Sequence, residues 1–265
     1  MCVAEHLAVE YRTMLFLEFP LFSAFLLFVL GLCFGSFSNV IIARVPRGEG
    51  ITGRSHCMFC KAKLHAHELV PVLSFLVQAG RCRTCKERIA WRYPLIELGG
   101  ATLFIAAAIM TGTFVEALLL GVALWLLGTI SLIDMQMQRI PDALNIPFFL
   151  IAALYHILFV VPIDIIAPLI GVLFFGAQWL VSGGRWIGSG DIILIAGIGL
   201  LAGSWPLMLI TLLCAYGMGA LVAAGLLLQG KKKRNDTLAF APFLAAGLLV
   251  ALLAGPRFLQ VFMYT

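Results

Sequence analysis

Two aspartates and four cysteines carry the patterns in this chain that could do chemistry. Asp191 follows Gly188-Ser189-Gly190 and precedes the apolar run Ile192-Ile193-Leu194-Ile195. Glycines let a backbone turn tightly and approach a substrate closely. The acid then enters the first turn of a helix, where a plain N-cap is the competing reading. Asp134 closes another apolar run, after Ser131-Leu132-Ile133. An acid at a helix C-terminus opposes the helix dipole. Nearby Asp142 has a structural explanation, because Pro141-Asp142 suits a helix start; Asp134 has none. Two carboxylates on neighbouring helices at one depth can share a proton and activate water against a peptide carbonyl, one neutral and one ionised. Their titration then belongs to the pair. No Ser/His or Cys/His arrangement competes well, and His156, inside an apolar run, reads as a packed or interfacial residue.

The cysteines Cys57, Cys60, Cys82 and Cys85 form two Cys-x-x-Cys pairs separated by 21 residues. Each pair can place two thiolates on one tetrahedral metal, and two pairs complete a structural zinc site. Reduced thiols without metal are the alternative. His56, His65 and His67 lie nearby and read as surface histidines rather than substitute ligands. Cys33 and Cys214 lie in apolar runs, where cysteine packs as a small hydrophobe; Cys2 also stands alone.

The elements that must position these groups are set by hydropathy. The chain is 62% hydrophobic and 12% charged, with mean hydropathy +1.04, about half the charge of a soluble domain. About 20 apolar residues cross a bilayer. Eight spans are expected, at about 20–43, 94–111, 114–133, 143–162, 165–182, 190–203, 206–229 and 238–257, with a turn at Gly203-Ser204-Trp205-Pro206. The first apolar run is too long for a signal-peptide core and reads as a retained anchor. Ten of the 18 basic residues lie between Arg44 and Arg92, and four more form Lys231-Lys232-Lys233-Arg234. With eight spans and the N-terminus outside, these fall on the cytoplasmic side with Arg139 and Arg185, leaving Arg12 and Arg257 outside. The net charge of +5 is then a topology signal, and no nucleic-acid partner is expected. The expected fold is all-α: a polytopic membrane protein with a small zinc-binding loop domain. It divides into an anchor (1–43), a cytoplasmic four-cysteine loop (44–92) and a membrane-embedded domain that carries both acids (93–265). In the reducing cytoplasm stable disulfides are not expected in the loop.

Ionisable groups at membrane depth are costly and mark candidate sites. Glu116 and Asp164 fall at external helix ends. Asp134, Asp142 and Asp191 fall at cytoplasmic ends, with Glu97 about one turn inside the second span. Glu18 and Asp236 lie in polar flanks.

The ordered motifs resemble the bacterial prepilin peptidase family, membrane aspartyl proteases of the GxGD type. Gly188-Ser-Gly-Asp191 resembles GxGD, and Ile133-Asp134 with Pro141-Asp142 resembles the partner motif. Gly35-Ser-Phe-Ser-Asn-Val40 with Arg44-Val-Pro46 resembles the N-terminal signature. Ser55-His-Cys57 to Cys60, Leu69-Val-Pro-Val-Leu-Ser74, Gly80-Arg-Cys82 to Cys85 and Arg92-Tyr-Pro-Leu-Ile-Glu97 resemble the loop, and Phe240-Ala-Pro-Phe-Leu244 the C-terminal motif. The resemblance runs from about residue 31 to 247. It implies Asp134 and Asp191 as the catalytic acids, and cleavage of type IV prepilins or type II secretion pseudopilins on the cytoplasmic side of the inner membrane. For many members it also implies N-methylation of the new amine from S-adenosylmethionine. No glycine-rich dinucleotide-type loop independently marks a donor site. The family's usual Lys two residues after the GxGD aspartate is Ile193 here.

Helix polarity gives an expectation for the division of labour. Asp191 at a positive helix end begins as the general base, and Asp134 at a negative end begins as the protonated partner. Gly188 and Gly190 are candidate substrate-contacting positions. Glu97 is a candidate contact for a basic leader, or else the ion-pair partner of Arg92 or another basic residue. A proton-coupled transporter is the main rival, but no internal repeat is visible and the acids lie toward one face. A scaffold with a zinc loop is the other, and would tolerate loss of both aspartates. Replacing Asp134 or Asp191 with Asn or Ala is expected to abolish cleavage of a prepilin; turnover retained by either variant removes that residue from the pair.

Overall fold

A computed structural model describes residues 21–233 and 237–263. The expectations for Cys2, Arg12, Glu18, Arg234 and Asp236, and the first 20 residues of the anchor, lie outside the described residues, as does the side chain of Arg257. Among the described residues nine α-helices follow one another: α1 (Leu21–Arg44), α2 (Leu73–Val77), α3 (Arg92–Met110), α4 (Phe114–Met137), α5 (Asp142–Phe159), α6 (Ile166–Ser182), α7 (Ser189–Ala202), α8 (Trp205–Leu228) and α9 (Ala241–Met263). Among the described residues extended pairing is confined to two isolated bridges, His56 with Lys63 and Arg81 with Arg88.

All but α2 occupy the places where hydropathy puts apolar spans. Five are long and apolar enough to cross a membrane: α1, α3, α4, α5 and α8. Three apolar helices are shorter: Ile166–Ser182, Ser189–Ala202 and Ala241–Gly255. The 14 residues of α7 rise about 21 Å at ~1.5 Å per residue, short of the roughly 30 Å hydrocarbon layer. Among the described residues, then, five helices are long and apolar enough to cross and three shorter stretches are apolar, at the eight places where hydropathy puts spans.

The chain forms two compact units, one ending at Gly121 and one beginning at Val122. In the first, α1 packs along α3. Small residues make this possible. A Cβ on Gly31 would lie 2.6 Å from the Ala101 Cα, and one on Gly35 would lie 2.7 Å from the Glu97 Cα. A Cβ on Gly100 would strike the Gly31 carbonyl oxygen and sit 2.9 Å from the Gly35 backbone. Close backbone approach of this kind drives helix association where water-based hydrophobic gain is absent. The Asn39 side-chain amide adds a bond to the Tyr93 carbonyl at 3.2 Å.

In the second unit α7 packs against α5, α6, α8 and α9. It is apolar all round, as a central helix must be, with Leu194, Ile195 and Ile198 fully buried. Two side chains of α5 fix its register on α7: Asn145 donates to the Gly190 carbonyl at 2.8 Å, and His156 Nδ1 pairs with the Leu200 carbonyl at 2.8 Å. His156 is thus a packed residue, buried to 2% exposure.

The α1–α3 seam gives an internal control, because Gly99 has no atom within 4 Å of an added Cβ. Gly100→Ala is expected to lower the stability of detergent-purified protein by about 1–3 kcal/mol through overpacking. Gly99→Ala is expected to be neutral or stabilising by up to ~1 kcal/mol. Equal unfolding midpoints for the two variants would contradict this seam.

Candidate active site and metal centre

Asp191 is the third residue of α7, whose N-cap is Gly188. It is not itself the cap: its Oδ2 reaches back to accept the Gly188 N–H at 3.0 Å. Gly188 has φ −79° and ψ 158°, a conformation open to any residue, and a Cβ there would meet Asp191 Oδ2 at an ordinary 3.4 Å. Gly190 is more constrained. A Cβ would lie 3.2 Å from the Ile140 Cβ and 3.8 Å from the Asn145 amide nitrogen. The Asn145 bond to its carbonyl holds the peptide that leads into Asp191.

Asp134 sits in the last turn of α4 and is 5% exposed. Its Oδ2 accepts the Ala241 N–H at 3.0 Å, and the Phe240 amide also points at the carboxylate. Ala241 is the first residue of α9. The Phe240-Ala-Pro-Phe-Leu244 motif therefore supplies backbone donors to an acid 107 residues earlier in the chain. The carboxylates of Asp134 and Asp191 lie close enough to interact electrostatically.

This arrangement removes the basis of the polarity assignment. Asp134 does lie at the negative end of α4, but its carboxylate also faces the positive N-terminal end of α9. Both acids accept a backbone N–H at a helix start, so helix polarity no longer ranks them.

Several residues of this site carry no motif. The Tyr216 phenol lies within electrostatic reach of Asp191. Its hydroxyl donates to Gln178 Oε1 at 3.1 Å and accepts from Gln178 Nε2 at 2.9 Å. Its ring packs on Phe240 with centroids 4.9 Å apart. Asn145 is fully buried, and its Oδ1 has no partner among the described residues. The signal that could have found Asn145, Gln178 and Tyr216 is polarity inside apolar spans. An apolar cavity of about 360 Å³ begins one residue past Asp191, lined by Ile146, Phe149, Val172, Ile192, Ile193 and Ala196.

The other acids are accounted for by helix ends. Asp142 is the exposed first residue of α5. Asp164 Oδ1 accepts the Ile166 N–H at 2.7 Å, and its Oδ2 accepts the Trp205 N–H at 3.2 Å. Glu116 accepts the Gly112 N–H at 3.1 Å. Glu97 does not pair with Arg92. Its Oε2 accepts the Val72 N–H at 2.7 Å, and Ser36 also bonds to it.

The four cysteines converge. Their sulfurs all lie within 4.8 Å of one another, with Cys57 and Cys85 at 3.9 Å. Ligands ~2.3 Å from a tetrahedral zinc are about 3.8 Å apart, so the spacing fits. The two knuckles repeat one geometry. Lys61 N–H donates to the Cys57 carbonyl and Lys86 N–H to the Cys82 carbonyl, at 3.0 and 2.9 Å. Both lysines turn through positive φ, 58° and 62°. The amides of Cys85 and Thr84 pull the Cys82 thiol down to about 7. An amide of Glu87 points at Cys85, but desolvation and the three neighbouring sulfurs push that thiol up to about 11. None of the three nearby histidines joins the four cysteines: His65 stacks on His67 at 5.6 Å, His67 bonds Arg83 at 2.7 Å, and His56 lines a cavity with Arg54, Lys61 and Lys63.

Residues 29–111 match the bacterial peptidase A24 N-terminal domain, and residues 121–224 match the type IV leader peptidase family. The chain is 34% identical over 257 residues to a prepilin leader peptidase/N-methyltransferase of Pseudomonas putida, covering 86% of this chain and 89% of the relative. It is 34% identical over 246 residues to the protein of the same name from Bacillus subtilis, covering 89% and 96%. A third of that name, from Aeromonas hydrophila, is 32% identical over 262 residues, covering 87% and 90%. No solved structure matches.

The two glycines before Asp191 differ in what surrounds them, which separates their roles. Gly190→Ala is expected to shift the peptide carrying Asp191 and lower kcat for prepilin cleavage on the order of tenfold or more, as small misplacements of catalytic groups do. Gly188→Ala is expected to stay within about twofold of the parent. Equal losses would contradict the crowding argument.

Proposed function

The chain belongs to the type IV leader peptidase family and is a prepilin peptidase; we propose that Asp134 and Asp191 are its catalytic pair. The observation that carries this reading is a pair of carboxylates, one from α4 and one from α7, within electrostatic reach of each other and each held by a backbone N–H. Two carboxylates that interact electrostatically favour a state with one proton on the pair. The ionised member takes a proton from water, and the resulting hydroxide attacks the scissile carbonyl. The neutral member gives its proton to the carbonyl oxygen. The tetrahedral diol then collapses, breaking the C–N bond: the departing amine receives the proton taken from water, and one diol hydroxyl returns its proton to the other carboxylate, which restores the singly protonated pair.

The substrates proposed are type IV prepilins or type II secretion pseudopilins, cut at the cytoplasmic face of the inner membrane. The apolar cavity beside Ile192 and Ile193 fits a substrate whose scissile bond adjoins a hydrophobic segment. The dense basic loop supports the cytoplasmic placement. Glu97, engaged with Val72, is a poorer substrate contact than the sequence suggests, and Gly190 serves better as a spacer for Asp191 than as a direct contact. Zinc is the metal proposed for Cys57, Cys60, Cys82 and Cys85, where it would tie two knuckles of a loop with little core of its own. The relatives' name supports methylation of the new N-terminal amine, for which S-adenosylmethionine would supply the methyl group. In functional terms residues 44–92 form the loop domain and 93–265 the protease domain.

Purified protein incubated with a prepilin, with and without S-adenosylmethionine, is expected to yield a shortened pilin by mass spectrometry. A further methyl mass is expected in the presence of the donor. An intact prepilin under both conditions would contradict the peptidase assignment; shortening without methylation would contradict only the second activity.

A further inference from the structure

A strained turn ties the cysteine loop to the first helical turns of a membrane span. Val72 has φ 61° and ψ −49°, and the Leu73 N–H bonds the Pro71 carbonyl at 2.6 Å. This is a γ-turn of the rare positive-φ form, and a β-branched residue there is a conformational outlier. Such strain persists where surrounding contacts over-determine it. The contact here is the Glu97 carboxylate on the Val72 N–H at 2.7 Å. Glu97 is the sixth residue of α3, about 7 Å along the helix from Arg92 at ~1.5 Å per residue. The loop backbone is thus pinned beside the outer turns of a segment long and apolar enough to cross a bilayer.

A second contact pins the short helix that follows the turn. Phe75, the buried side chain of α2, packs on Trp91 with ring centroids 4.9 Å apart. Trp91 immediately precedes α3, the position at which tryptophan marks a membrane–water boundary. The remaining apolar side chains of α2 are turned outward. Leu73 is 61% exposed, Leu76 63%, Val77 86% and Trp91 itself 70%. Large apolar groups clustered on a polar loop need a partner. The charge around them names it: residues 44–92 carry ten Lys and Arg against Glu49, Glu68 and Glu87, the balance that an anionic lipid surface attracts.

We propose that α2 is an interfacial helix, with Leu73, Leu76 and Val77 inserted into the anionic leaflet and Trp91 at the headgroup level. Glu97 and the strained turn set its angle, and the leaflet then holds the four-cysteine knuckles at a fixed height. The inference rests on the membrane span of α3 and is independent of the peptidase reading.

The test places a photoreactive benzophenone amino acid singly at Leu76, Val77 or Lys86 in the full chain, reconstituted in nanodiscs containing phosphatidylglycerol. Each variant is first checked for an unchanged elution profile and helical circular dichroism. Illumination followed by mass spectrometry is expected to give lipid adducts at positions 76 and 77. Their yield should exceed that at Lys86 on the order of tenfold, as apolar burial favours the lipid side. Equal yields at all three positions would overturn the proposal. So would adducts at 76 and 77 that go to an added prepilin in place of lipid. Hydrogen exchange gives an independent reading: amides 73–77 are expected to be more protected in nanodiscs than in a short-chain detergent, and equal protection would also overturn it.

Discussion

The site depends on keeping two carboxylates together in an apolar helical setting. Each needs replacement for the water it loses, and the chain supplies it from backbone. Gly188 gives its N–H to Asp191, and Ala241 gives its N–H to Asp134. Both donors stand at helix starts, where amides lack intrahelical partners. Much of the surrounding architecture serves these two bonds. Asn145 fixes the peptide before Asp191, Gly190 keeps that peptide close to Ile140, and Tyr216 packs on the residue that precedes Ala241.

The acids, the cysteines and the apolar runs were legible from sequence because each follows a local rule. Hydropathy placed the helices, Cys-x-x-Cys spacing placed the knuckles, and a carboxylate at the wrong helix end marked Asp134. The supporting contacts were less legible because they join distant segments. Nothing local to Phe240-Ala241 shows that its amides turn toward residue 134, and so the polarity argument missed the opposing helix end. The Glu97 contact was hidden for the same reason: its carboxylate accepts a backbone N–H 25 residues earlier, which no side-chain charge pattern can reveal. All eight expected spans are helical, but among the described residues only five are long and apolar enough to cross by themselves, with Ile166–Ser182, Ser189–Ala202 and Ala241–Gly255 shorter.

Two kinds of rigidity hold the loop. The cysteine knuckles provide a local tie, with sulfurs within 4.8 Å and repeated backbone bonds. The Val72 turn and the Phe75–Trp91 contact provide a tie to α3. A metal at the first and a leaflet at the second would together replace the hydrophobic core that a 49-residue loop cannot build by itself.

The shared proton is the central claim, and the pH dependence of kcat/KM for prepilin cleavage tests it most directly, since that profile reports the essential acid and base of the free enzyme. A pair that works with one proton predicts a bell: activity falls on the acid side as both carboxylates protonate, and on the alkaline side as both ionise. A rate that stays level on the alkaline side while the enzyme remains folded would contradict the account.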